Sequence, residues 1–146
     1  MKGTPRLVVG AAIVHGDGDD RQVLAAQRTD PPEVAGRWEF PGGKVEPDES
    51  PEDAVVRELA EELDVQAEVL EWLDGEVPVK AGLVLRVALV RLVSGVPAPH
   101  EHSAVQWVAA GQLREVDWLD SDLPFVDQLA TRWSRSEAPA EPRDPA

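Results

Sequence analysis

Apolar and β-branched residues fill positions 7–14, a polar stretch follows at 16–21, and a second apolar run covers 22–28. This pattern predicts two strands joined by a turn. Residues 29–36 hold Pro31 and Pro32 and read as a loop. Trp38, Glu39 and Phe40 then form a short strand-like piece that Pro41, Gly42 and Gly43 interrupt. On a strand, Trp38 and Phe40 share one face and Glu39 takes the other. From Ser50 the period changes to that of a helix: Ser50 is placed to cap it, Pro51 suits its first position, and Glu52 and Asp53 favour the N-terminal end of its dipole. The helix should end near Leu63. Residues 66–73, 83–93 and 104–108 read as further strands, separated by loops that carry Gly75, Pro78, Gly82, Gly95, Pro97 and Pro99. Leu123, Val126, Leu129, Ala130 and Trp133 recur near helical spacing and predict a closing helix, with Asp122 as its candidate cap. Strands mixed with two helices point to an α/β or α+β sandwich on a mixed sheet.

The length of 146 residues, 42% of them hydrophobic, suits one domain with a real core, expected over residues 1–133. Residues 134–146, rich in Pro, Ala and charge, read as a disordered tail. Twenty-eight acidic against fourteen basic side chains give a formal charge of -14, which would repel a nucleic-acid backbone, and no Lys/Arg run offsets it. No segment approaches the roughly 20 apolar residues of a membrane span, and residues 1–6 lead into no cleavage-like site. With no cysteine, disulfides and thiolate metal sites are excluded. A cytoplasmic protein is expected, as a monomer or a homodimer.

Candidate chemistry begins on the first helix. At about 100° per residue, Glu58, Glu61 and Glu62 fall within one arc of roughly 100°, beside an apolar arc of Val56, Leu59 and Leu63. Carboxylates this close repel one another unless a cation intervenes. An oxygen-only donor set favours a hard ion, magnesium or manganese before zinc. A run of glutamates alone is more often a solvated helix face, so the residues upstream decide the reading.

Those residues are GKVEPDESPEDAVVRELAEELDV, from Gly43 to Val65. The string resembles the Nudix box, G-x5-E-x7-R-E-U-x-E-E-x-G-U with U a bulky aliphatic residue. Gly43, Glu49, Arg57, Glu58, Leu59, Glu61, Glu62 and Val65 all fall at the required spacing. The last glycine is replaced by Asp64, a residue that tolerates left-handed backbone angles better than most, so the turn should survive. The resemblance implies a Nudix fold, a mixed sheet sandwiched between helices. It also implies magnesium held by Glu58, Glu61, Glu62 and the carbonyl of Gly43. Glu58 is the expected water-activating group, with Glu62 or Glu101 as alternatives. Arg57 and Glu49 resemble the pair that clamps the loop to the helix, a structural role. Glu101, in HEHSAVQW, stands where MutT-like proteins supply another acidic ligand or base. His100 and His102 flank it and suggest zinc, which is set aside because a catalytic zinc site normally takes three protein ligands and no third is indicated.

The segments AAIV, VLAAQR, AGRWEFPGGKVEPDES and DSDLPFVDQL extend the resemblance to the MutT and CTP pyrophosphohydrolase branch. That branch converts nucleoside triphosphates to monophosphate and pyrophosphate. Arg28 is a candidate phosphate clamp, Phe40 a candidate wall of the base pocket or a core residue, and Asp122 a candidate reader of the base edge or a helix cap. Arg37 and Lys44, on either side of WEFPGG, complete the substrate-binding candidates. The expected activity is that of a nucleotide-pool sanitising enzyme acting on 8-oxo-dGTP, with dCTP or 5-methyl-dCTP as the rival substrate. A catalytically silent Nudix binding module and a structural acidic partner protein are the readings from other classes.

Overall fold

A computed structural model of the chain describes residues 6–80, 82–100, 102 and 104–137. Chain order is β1 (Arg6–His15), β2 (Gln22–Gln27), β3 (Trp38–Glu39), β4 (Gly42–Lys44), α1 (Pro51–Leu63), β5 (Gln66–Trp72), β6 (Val77–Lys80), β7 (Leu83–Ser94), β8 (Ala104–Ala109) and α2 (Leu123–Glu137). Short 3-10 helices lie at Gly18–Asp20, Ala110–Glu115 and Asp120–Asp122.

Among the described residues, eight strands make one mixed sheet with the path β3-β2-β1-β7-β5, while β4 pairs with β1, β6 with β7 and β8 with β2. The central pair, β1 with β7, is parallel from Arg6↔Leu83 to Val14↔Arg91; the other pairings are antiparallel. A strand at the centre of such a sheet is covered on both faces, so it loses the apolar/polar alternation. Val9 through Ile13, excepting the glycine, are accordingly apolar and buried without a break. Val9, Ala11 and Ile13 pack with Leu24 and with Val55, Leu59 and Leu63 of α1. On the opposite face, Ala12, Val23 and Val87 pack with Phe125, Val126 and Leu129 of α2. The expected sandwich of a mixed sheet between helices is therefore the observed architecture.

Local signals place α1 well. Ser50 Oγ accepts the Asp53 N–H at 3.0 Å, Pro51 opens the helix, and Asp64 closes it in the left-handed conformation at φ 61°, its N–H reaching Ala60 O. Two segments read as breaks or loops are strands. Gly42 and Gly43 pair with Gly10 and Val9 as β4, because a chain with no side chain there can approach β1 closely. Pro78 lies within β6, which is tolerated because, among the described residues, β6 pairs on one side only, with β7, through an irregular register. Helix α2 continues past Trp133 to Glu137, so residues 134–137, expected in the tail, are helical; no helix breaker precedes Pro139. The rest of that expectation, at 138–146, lies outside the described residues, among which no helix is long and apolar enough to cross a membrane.

The ends of α1 make a two-sided prediction. Ser50→Ala should lower stability by about 1 kcal/mol. Asp64→Gly should raise it by roughly 0.5 kcal/mol or more, because glycine holds the left-handed end without Cβ strain. Urea denaturation of both variants checks this; a loss of stability in Asp64→Gly would mean that the aspartate side chain contributes more than the backbone angle costs.

Candidate active site

The acidic edge of α1 is seated by β4. A Cβ built on Gly43 would stand 2.4 Å from the Glu58 carboxylate, and one on Gly42 would meet the Val9 carbonyl oxygen at 1.9 Å. The two glycines thus lie between β1 and the helix with no room for a side chain. Arg57 ties the preceding loop to the same edge. Its Nε donates to Glu49 Oε2 at 2.7 Å and its Nη2 to Glu49 Oε1 at 3.0 Å and to the Lys44 carbonyl at 3.1 Å, while Nη1 reaches Glu58 Oε2 at 3.1 Å and Glu61 Oε1 at 3.3 Å. This fork raises the Arg57 pKa further and holds the Glu49 carboxyl down at about 2, chiefly through their mutual hydrogen bonds.

Glu58, Glu61 and Glu62 present different amounts of surface. The Glu58 side chain is 15% exposed and that of Glu61 57%, while Glu62 is buried and its backbone carbonyl accepts from His100 N–H at 3.1 Å. Among the described residues no three acidic or histidine side chains already converge as a metal cage; Arg57 bridges two of the candidate ligands instead. The site nevertheless suits a hard divalent ion. Its donors are oxygens alone, and the glycine cradle leaves the Glu58 carboxylate directly against the backbone of Gly43. Glu101 lies outside the described residues.

Next to this edge lie two cavities. The first, of about 290 Å³, is bounded by β1, β4 with Lys44, Phe40 and Leu85, and its polar lining is Arg28, Glu39, Ser121 and Asp122. The second, of about 190 Å³, is lined by Arg28, Asp30, Glu39, Gly42, Glu62 and His102. Arg28 and Glu39 therefore face both, and the second cavity reaches α1 through Glu62. The Arg28 guanidinium is held by the Asp30 carbonyl at 2.8 and 3.0 Å and by Glu39 at 3.3 Å. Glu39 also meets His102, whose Nε2 lies 2.9 Å from Oε2. A further cavity between Ala110–Glu115 and α2 shares no lining residue with these two.

Asp122 is buried, and its Oδ2 accepts the Phe40 N–H at 3.0 Å. Its carboxylate thus points to β3 and the cavity. Burial pushes its pKa up to about 7; the nearby Glu39 charge adds to the rise, whereas the Phe40 N–H and Arg28 oppose it. Phe40 belongs both to the core, with its ring 4.8 Å from that of Trp118, and to the cavity wall. Arg37 is not among the residues lining either cavity. Its guanidinium donates to Asp117, to Asp120 and to the Trp118 carbonyl, and the two aspartates, Asp120 foremost, raise its pKa. Two residues that the sequence left without a role, Glu39 and His102, stand at the junction of the cavities. The signal for them was weak: a carboxylate on the face opposite two aromatics, and a histidine read only as a metal ligand.

The Asp122 environment predicts a pH effect with a definite sign. A carboxyl whose folded pKa is raised favours the native state while protonated, and this contribution is lost as pH climbs from about 4 through 7. The stability of the wild type relative to Asp122→Asn should therefore fall over that window, by a few kcal/mol at most at about 1.4 kcal/mol per unit. Urea titrations at pH 5 and 8 measure it; equal differences at both would place the carboxylate in a solvated setting.

Comparison with known proteins identifies the family and the fold. Residues 4–129 match the family model for the NUDIX domain. The chain is 40% identical over 136 residues to a protein of Mycobacterium tuberculosis named putative 8-oxo-dGTP diphosphatase 2, covering 91% of this chain and 94% of that one. It is 36% identical over 130 residues to the CTP pyrophosphohydrolase of Escherichia coli, covering 87% and 94%. Among solved structures, the E. coli ORF135 protein superposes with a TM-score of 0.71 at 35% identity, covering 95% of this chain and 94% of that one. A MutT NUDIX hydrolase from Burkholderia pseudomallei gives 0.70 at 33%, covering 86% and 98%. A glycine-seated acidic helix on a mixed sheet and a family match across most of the chain lead to one conclusion: the protein belongs to the NUDIX family and is a Nudix hydrolase.

Proposed function

We propose that the protein is a magnesium-dependent nucleoside triphosphate pyrophosphohydrolase of the MutT type that removes 8-oxo-dGTP from the nucleotide pool of the cytoplasm. One observation carries the reading. A cavity near the size of small-ligand sites, with a buried carboxyl at Asp122, shares Arg28 and Glu39 with a polar cavity that reaches Glu62 on the acidic helix. A base in the first cavity puts its phosphates past Arg28, toward the edge that carries Glu58 and Glu61.

Each group then has a task. Arg28, already held in place by Asp30 and Glu39, orients phosphate oxygens with a planar donor fork. Glu58, Glu61, Glu62, Glu101 and the Gly43 carbonyl would hold magnesium or manganese, which when bound neutralises phosphate charge and lowers the pKa of water. Glu58 takes the proton of the attacking water, with Glu62 or Glu101 as the alternative base. Water adds to phosphorus and the bond to the bridging oxygen breaks, leaving nucleoside monophosphate and pyrophosphate. Asp122, with a pKa of about 7, accepts a hydrogen bond when ionised and also donates one when protonated, so it suits either an amino or a carbonyl base edge. Likeness to the CTP pyrophosphohydrolase favours (d)CTP or 5-methyl-dCTP as the second reading.

Pyrophosphate release from 8-oxo-dGTP, dGTP, dCTP, 5-methyl-dCTP and ADP-ribose, with magnesium or with chelator, tests the proposal. Turnover of 8-oxo-dGTP above the others should vanish with chelator and fall at least about 100-fold in Glu61→Gln. Preference for a cytidine nucleotide selects the second reading, and preference for ADP-ribose rejects the triphosphate branch. Absence of all turnover would leave a binding module.

A further inference from the structure

Part of the lining of the base cavity comes from a short segment, residues 119–122, that also borders a neighbouring groove. Leu119, Ser121 and Val79 of β6 line both the base cavity and an open groove of about 430 Å³. The groove continues over Val34, Val77 and Pro78 and is also lined by Arg37 and Asp120. Leu119 and Ser121 therefore stand at the boundary between a base-sized chamber and a larger trough.

Residue 37 holds this boundary. Arg37 sits immediately before β3, and its guanidinium reaches across the chain to three acceptors on the approach to the wall: Asp117 Oδ1 at 3.3 Å from Nε, Asp120 Oδ1 at 3.1 Å from Nη2, and the Trp118 carbonyl. Backbone bonds run alongside, Trp38 N–H to Asp117 O at 3.0 Å and Leu119 N–H to Trp38 O at 2.8 Å. At its far end the segment is fixed by Asp122 on the Phe40 N–H. Single exposed ion pairs contribute little, but here one planar fork gathers acceptors from three residues, a geometry that a lysine ammonium does not reproduce. Asp117, Asp120 and Asp122 also crowd negative charge into six residues, and Arg37 offsets two of the three.

We infer that Arg37 is a specificity-determining positioning residue: by holding residues 117–121 against β3 it keeps the base cavity closed from the neighbouring groove, and so limits the size of base substituent that the enzyme accepts. The inference rests on the proposed triphosphate activity and on the base occupying the cavity beside Phe40. Arg37 touches neither phosphate nor base in this assignment; it acts through Leu119, Ser121 and Asp122.

The test compares wild type, Arg37→Leu, Arg37→Lys and Asp120→Asn on dCTP and on N4-benzyl-dCTP, a nucleotide with a bulky apolar group on the exocyclic nitrogen. In Arg37→Leu the KM for dCTP should rise. The kcat/KM ratio of the benzyl nucleotide to dCTP should increase at least about tenfold, with Asp120→Asn intermediate and Arg37→Lys restoring part of the discrimination. A merely structural role would depress both nucleotides together. Hydrogen exchange supplies a readout independent of turnover: amides of 117–122 should exchange at least about tenfold faster in Arg37→Leu and Asp120→Asn, with those of 51–63 unchanged. An unchanged ratio, or unchanged exchange at 117–122, overturns the inference. If Arg37→Leu fails to fold, Asp120→Asn carries both measurements, since that side chain is 87% exposed. If wild type turns over no triphosphate, the proposed function fails, and the exchange result still decides whether Arg37 holds the wall.

Discussion

Contact between the backbone of residues 42 and 43 and its two neighbours sets the distance on which the site depends. On one side the chain lies against the Val9 carbonyl, on the other against the Glu58 carboxylate, and neither gap admits a methyl group. Close-packed interiors leave such a mismatch nowhere to relax. The sheet thus fixes β4, β4 fixes the height of α1, and α1 carries its glutamates at that height. Arg57 then sets the rotation, since its fork reaches Glu49, Glu58, Glu61 and the Lys44 carbonyl together.

Electrostatics in the rest of the site follows from placing a few cations within a chain of net charge -14. Arg57, Arg28 and Arg37 each engage more than one oxygen acceptor, and each lies where acidic side chains converge. In all three the fork holds separate pieces of chain together: loop to helix, the start of the 29–36 loop to β3, and β3 to the segment before α2. Asp122 is buried, with the Phe40 N–H as its hydrogen-bond partner, and its pKa rises accordingly.

Legibility in the sequence divides along local and distant causes. Ser50, Pro51 and Asp64 act within a few residues, so both ends of α1 could be read directly. The helix edge of Glu58, Glu61 and Glu62 needs only helical geometry. The central strands were readable because burial on both faces leaves an unbroken apolar run. What escaped was decided by partners far away in the chain. Gly42 and Gly43 look like a break until β1 is beside them, and Pro78 looks like a loop until β6 is known to be an edge. Glu39 gains its place from Arg28 and His102, 11 and 63 residues away. Asp122 had two local readings, cap or base reader, and its hydrogen bond to Phe40, 82 residues distant, was beyond any local pattern.

The parallel pairing of β1 with β7 also governs how this chain must be made. Residues 6–14 find their partner at 83–91, so the middle of the sheet cannot close until most of the sequence has emerged from the ribosome. Until then β1 offers an unmatched edge that is apolar along most of its length, and pairings this distant in sequence form slowly because a large loop must be closed first. The acidic helix and its loop belong to that intervening stretch. Their dense like charge, which the finished fold must neutralise, also keeps the waiting chain apart from its neighbours.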